Sequence, residues 1–145
     1  HQLALIAIGG GPSIGIDIEQ LRHEVDYPRI ARRFFSTAER RDLTSLPRGE
    51  QQQAFFRCWA RKEAVIKCHG RGIALGLDRF DVSLLPREPP RLKAARWGAD
   101  TEAPWTLFEL TPGVGYAAAG AVRLDAPVVR TWELTDVAAA IRPSG

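Results

Sequence analysis

The chain has 145 residues, 45% of them hydrophobic and 26% charged, the ordinary range for one globular domain with its own core. A formal charge of +3 and a pI near 9.2 favour an anionic partner, but the excess is far below the dense basic stripe of a dedicated nucleic-acid binder. An anionic small molecule or an acidic protein fits the same balance.

The first element is the apolar run Leu3-Ala4-Leu5-Ile6-Ala7-Ile8, which has the texture of a buried strand. Gly9-Gly10-Gly11-Pro12-Ser13 reads as a turn. It feeds Ile14-Gly15-Ile16-Asp17-Ile18-Glu19, whose strict alternation predicts a half-buried strand antiparallel to the first. The chain contains no Met, so no translation start is visible; residues 1–145 are expected to form a single domain of a longer protein. No apolar run approaches the ~20 residues that span a bilayer, and no charged-then-apolar leader pattern opens the chain. The cytoplasm is the expected compartment.

Residues 28–34 predict a short helix, and Ser36-Thr37-Ala38-Glu39 is a capping-box signature opening another through Leu43. Pro47 and Gly49 close that stretch. From Glu50 to about His69 neither Pro nor Gly interrupts a run containing Ala54, Phe55, Trp59, Val65 and Ile66, which predicts a helix of about five turns. Both cysteines, Cys58 and Cys68, fall in it, roughly 15 Å apart along the axis, and cannot pair there. With no other cysteine there is no disulfide framework, in keeping with a reducing compartment.

Gly70-Arg71-Gly72 ends the helix. Strand-like segments follow at about Phe80–Leu85, Leu92–Trp97, Trp105–Leu110, Tyr116–Arg123 and Val128–Leu134, each bounded by Pro, Gly or Asp, with Pro86–Pro90 a surface loop. Thr135-Asp136 predicts the cap of a short final helix. The fold class is α+β, an antiparallel sheet packed on one long helix.

Two constellations carry chemistry. In a strand, residues two apart face the same side, so Asp17 and Glu19 present adjacent carboxylates, a hard-oxygen pair suited to Mg2+. An ordinary solvated strand face is the alternative and, for a short motif alone, the commoner one. The second is Trp59-Ala60-Arg61-Lys62-Glu63-Ala64-Val65-Ile66-Lys67, in which Trp59, Glu63 and Lys67 form one helical stripe. Glu63 and Lys67 at this spacing commonly mean only a helix-surface salt bridge, worth roughly 0.3–0.5 kcal/mol. Against that stands the scarcity of lysine: the chain has seventeen Arg and three Lys, and two of the three are Lys62 and Lys67, for which a phosphate clamp is the alternative reading.

Taken together, Gly15-Ile16-Asp17-Ile18-Glu19 and, some forty residues on, Trp59-x-x-Lys62-Glu63-Ala64-x-x-Lys67-x-x-Gly70-x-Gly72 resemble the paired signature of the 4′-phosphopantetheinyl transferases. Phe35 and Glu39 lie in a segment similar to the family's F-x-x-x-E element, and Pro112-Gly113 with Tyr116-Ala117-Ala118-Ala119 resembles its closing hairpin. Glu at position 19 and the extended C-terminal sheet resemble the surfactin (Sfp) type.

The resemblance implies a fold of two similar halves packed as a pseudo-dimer, with coenzyme A in the cleft between them. This chain would supply the second half and a C-terminal β extension, and would need the missing N-terminal half or a second copy of itself. The implied reaction is holo-[carrier protein] synthesis: transfer of 4′-phosphopantetheine from coenzyme A to a serine of an acyl or peptidyl carrier protein, releasing adenosine 3′,5′-bisphosphate. Mg2+ would be held by Asp17, Glu19 and Glu63; Lys62 and Lys67 would contact the coenzyme A phosphates, Lys67 at the leaving group; and the serine proton would go to Glu63, the favoured base, or to a metal-bound water oriented by the acidic cluster. A non-catalytic carrier-protein-binding module of the same fold is the rival. Arg29, Arg32, Arg33, Arg40 and Arg41 are either a surface for an acidic carrier protein or a solvated face. No membrane or nucleic-acid partner is expected.

Overall fold

The computed structural model describes residues 3–11, 13–98 and 104–133. In chain order the elements are β1 (Ile14–Gln20), α1 (Tyr27–Phe34), α2 (Thr37–Ser45), α3 (Arg48–His69), β2 (Phe80–Val82), β3 (Leu92–Ala95), β4 (Thr106–Leu110) and β5 (Tyr116–Val122). One antiparallel sheet has the order β1-β5-β4, and β2 and β3 form a separate antiparallel pair. Among the described residues no helix is long and apolar enough to cross a membrane.

The helices begin and end where local chemistry dictates. Asp26 caps α1 by accepting from the Arg29 backbone N–H at 3.1 Å. The predicted capping box of α2 is formed, with Ser36 Oγ accepting from Glu39 N and the Glu39 carboxylate accepting from Ser36 N. Helix α3 starts after Pro47 and stops at Gly70, whose φ of 81° is the left-handed turn that glycine takes without strain.

Helix α3 lies across β1 and β5. Its buried residues include Phe56, Ala60, Ala64, Val65 and Cys68, and the strand surface offers Ala119 and Ala121 in return. The approach is closest at Gly15: a Cβ there would collide with the Ala64 carbonyl oxygen and the Cys68 amide nitrogen. Only a residue without a side chain lets the helix backbone settle on this strand.

The structure departs from the sequence expectation at both ends of the sheet. Residues 3–9 form no strand, and Ile6 and Ile8 are 80% and 93% exposed. A run that is apolar on both faces needs cover on both faces, and nothing among the described residues covers this one. Strand β1 pairs instead with β5 over seven residues, from Ile14 opposite Val122 to Gln20 opposite Tyr116. Residues 128–133 likewise carry no strand; Leu134 and the predicted Thr135-Asp136 cap lie outside the described residues.

Inside the molecule Lys62 is fully buried and held from three sides. Its ammonium donates to the carbonyl oxygens of Leu77 and Phe80, each at 2.6 Å, and pairs with Glu39 Oε2 at 2.8 Å. The Phe80 ring lies 4.2 Å from Nζ. Glu39, itself 1% exposed, also accepts from Val82 N through Oε1 at 2.8 Å, so one carboxylate caps α2, anchors β2 and neutralises α3. Burial pushes the Glu39 carboxyl up; Lys62 and the Val82 and Ser36 amides pull it part of the way back.

Breaking one partner of such a pair leaves an uncompensated buried charge. Lys62→Met is expected to cost about 3–5 kcal/mol in urea unfolding. The double variant Glu39→Gln/Lys62→Met should lose clearly less, and equal losses for the two would mean that the pair is not the unit of stability.

Candidate active site

Asp17 and Glu19 pair with Ala119 and Ala117, so both carboxylates stand on one face of the sheet, between alanines too small to cover them. Helix α3 crosses this same face. Its turns one and two beyond Trp59 bring Glu63 and Lys67 over β1, fifty residues away in sequence from the acidic pair. The Lys67 ammonium donates to Asp17 Oδ1 at 2.6 Å. This is a bridge from helix to strand, in place of the helix-internal pairing with Glu63 that the spacing allowed.

The electrostatics mark these residues as one cluster. Burial raises the Asp17 carboxyl most, with the Lys67 hydrogen bond, the Lys67 charge and the Ile18 amide opposing. The Glu19 carboxyl is raised by burial, then by the charges of Asp17 and Glu63, and drawn down by the Trp59 indole and Lys67. The Glu63 carboxyl is raised by burial and by Asp17, with Lys67 opposing. Three carboxylates therefore feel one another, and one ammonium acts on all of them.

The residues suit a hard divalent cation, although no three acidic, His or Cys side chains among the described residues converge into a finished cage. The donor set is all carboxylate oxygen, as Mg2+ prefers. Asp17 Oδ2 is buried without a hydrogen-bond partner, while Oδ1 is taken by Lys67. A buried orphan oxygen beside two further carboxylates is a ligand position in chemical terms.

One sequence-derived assignment is corrected. Lys62 was expected to contact the coenzyme A phosphates, but its side chain is 0% exposed and its ammonium is consumed by Glu39, Leu77 and Phe80 in the interior. Five residues of α-helix turn it about 140° away from Lys67, onto the opposite side of α3. His69 packs its ring against Trp97 and Trp105, with centroids 5.4 and 6.3 Å away. Arg29, Arg32, Arg33 and Arg41 are exposed on α1 and α2.

The residue that sequence reasoning passed over is Gly15. Its signal was present, a lone glycine inside an alternating strand pattern, which marks close approach of another backbone.

Comparison with known proteins places the chain in a family. The family model described as the 4′-phosphopantetheinyl transferase superfamily matches residues 13–122. The 4′-phosphopantetheinyl transferase HetI of Nostoc is 42% identical over 122 residues, which is 84% of this chain and 48% of HetI. The 4′-phosphopantetheinyl transferase Sfp of Bacillus subtilis is 44% identical over 71 residues, 49% of this chain and 31% of Sfp. The chain thus spans about half the length of HetI and less of Sfp. Among solved structures, a holo-(acyl-carrier-protein) synthase from Bacillus anthracis in complex with CoA (3′,5′-ADP) superposes with a TM-score of 0.61 at 26% identity, covering 75% of this chain and 92% of that one. The holo-[acyl-carrier-protein] synthase of Thermotoga maritima, at 22% identity and a TM-score of 0.54 over 75% of this chain and 61% of that one, shares the fold. The chain belongs to the 4′-phosphopantetheinyl transferase superfamily, on its Sfp-like side.

Proposed function

We propose that the protein containing this chain is a holo-[carrier protein] synthase, moving 4′-phosphopantetheine from coenzyme A to a serine of an acyl or peptidyl carrier protein. The observation that carries the reading is the placement of Asp17 and Glu19 on the sheet face that α3 crosses, with Lys67 of that helix 2.6 Å from Asp17. The B. anthracis relative's complex with CoA (3′,5′-ADP) supports coenzyme A as the donor.

In this reading Asp17, Glu19 and Glu63 hold Mg2+. Once bound, the cation supplies positive charge against the pyrophosphate oxygens. Lys67, exposed at the rim of the cluster, contacts the phosphates and steadies the charge developing on the departing adenosine bisphosphate. Glu63 takes the proton of the attacking serine. The transfer forms a serine O–P bond and breaks the P–O bond to the adenosine bisphosphate. Lys62 serves the fold that presents these groups.

Two measurements test the reading. Mass spectrometry of an apo carrier protein incubated with coenzyme A, Mg2+ and the intact protein should show the gain of one phosphopantetheine, and Asp17→Ala or Glu63→Ala should lower its rate on the order of 10²-fold or more. Near-wild-type turnover by either variant sinks the site assignment, and carrier-protein binding with no mass gain would instead mark a non-catalytic binding module.

The pH dependence of stability follows from the same charges. A carboxylate whose folded pKa lies above its unfolded value binds more protons when folded, so its contribution to stability is present at low pH and lost as pH rises through the folded value. The window opens at the ordinary 3.8–4.5 and extends upward. In metal-free protein, Glu19→Gln should therefore melt on the order of 1–3 °C above wild type at pH 7. The gain should vanish below about pH 4. Thermal melts followed by circular dichroism decide this; a Glu19→Gln protein no more stable than wild type at pH 7 would remove the repulsion argument.

A further inference from the structure

Two lysines on one helix are held in opposite ways. Lys62 has three acceptors and no exposure, whereas Lys67 has one carboxylate oxygen and a side chain 49% exposed. Asp17 is the buried member of the second pair, 8% exposed, with Oδ2 unpartnered. Among the described residues, Lys67 is also the one cation that acts on Asp17, Glu19 and Glu63 alike. The three carboxylates are not gathered into a cage of their own among the described residues; the ammonium bridges Asp17, and its charge also reaches Glu19 and Glu63.

We propose that Lys67 is the resident counter-cation of this site: its ammonium neutralises Asp17 until a divalent cation enters among Asp17, Glu19 and Glu63, and that entry displaces Lys67 toward the phosphate side. The inference rests on the proposed metal reading and adds to it an exchange of cations at Asp17. Three carboxylates and one ammonium sum to −2. A divalent ion that replaces the ammonium at Asp17 gives the same carboxylates twice the opposing charge, so the exchange runs toward the metal when it is available. Release is not opposed by packing of the lysine, because its side chain is half exposed. The exchange also sets an order of events. Lys67 cannot give its full charge to a phosphate while bridged to Asp17, so cation binding arms it.

The test is a Mg2+ titration of the intact protein, followed by NMR of the Asp17, Glu19 and Glu63 carboxyl carbons and of Lys67 Cε and Nζ. The Lys67 signals are assigned by their loss in Lys67→Arg. Calorimetry of Mg2+ binding to wild type and to Lys67→Met is the second readout. The expected result is that the Lys67 signals shift in step with the carboxyl carbons and that Lys67→Met binds Mg2+ about tenfold more tightly, the repelling and competing ammonium being gone. Carboxyl carbons that respond while the Lys67 signals stay fixed, or a Lys67→Met affinity equal to or weaker than wild type, overturn the exchange and leave the metal reading standing. Carboxyl carbons indifferent to millimolar Mg2+ overturn both. The wild-type NMR readout stands even if Lys67→Met fails to fold.

Discussion

The structure depends on how closely α3 can lie on β1. That distance is set at Gly15, where any side chain would strike the Ala64 carbonyl and the Cys68 amide. Small residues continue the contact on both sides, Ala60 and Ala64 on the helix and Ala119 and Ala121 on β5. With the helix seated this low, residues two and four positions beyond Gly15 meet side chains from the next turns of α3. Asp17 then reaches Lys67, and Glu19 comes under the influence of Glu63 and Trp59. A glycine in a strand interior costs roughly 0.5–1 kcal/mol in chain entropy, and here the close packing it permits is what builds the site.

The same helix binds the rest of the fold through its other side. Lys62 ties α3 to the N-terminus of α2 through Glu39 and to the Leu77–Phe80 turn through two carbonyls. Arg61 reaches Ser83 and Glu109, drawing in the chain after β2 and the strand β4. These are buried, multiply bonded cations, and losing one leaves its acceptors without compensation. Lys67, by contrast, ends in a single bond at the surface.

Much of this was legible in sequence, and the limits have physical reasons. The capping box at Ser36 and Glu39, the long uninterrupted helix and the alternating strand at 14–19 are local patterns, and each formed. The pairing partner of β1 was not legible, because register is decided by which distant strand offers a matching face, and that strand proved to be β5, about a hundred residues on. Lys62 illustrates the harder case. Its side of the helix followed from periodicity, but which side was interior depended on Glu39, Leu77 and Phe80, none of them local to it. A lysine beside a signature acid therefore read as a ligand contact, when its three acceptors make it a core residue. Glu39 was readable as a cap, while its bonds to Val82 and Lys62 were not.

This division of labour bears on how the site tolerates its own charge. Asp17, Glu19 and Glu63 repel one another in a partly buried setting, a state that favours the unfolded chain at neutral pH. The cluster persists because most of what holds α3 against β1 and β5 is close packing of small and apolar residues, and the ion pair holding α3 to α2 lies on the far side of the helix, so the Lys67–Asp17 bridge is the one such contact described that involves a carboxylate of the cluster. Stability and site chemistry thus draw on different faces of one helix. A lysine that held the fold together could not change partners without loosening the molecule. Lys62 carries that structural role, whereas Lys67 is half exposed and bridges to Asp17 alone in the hydrogen bonds described.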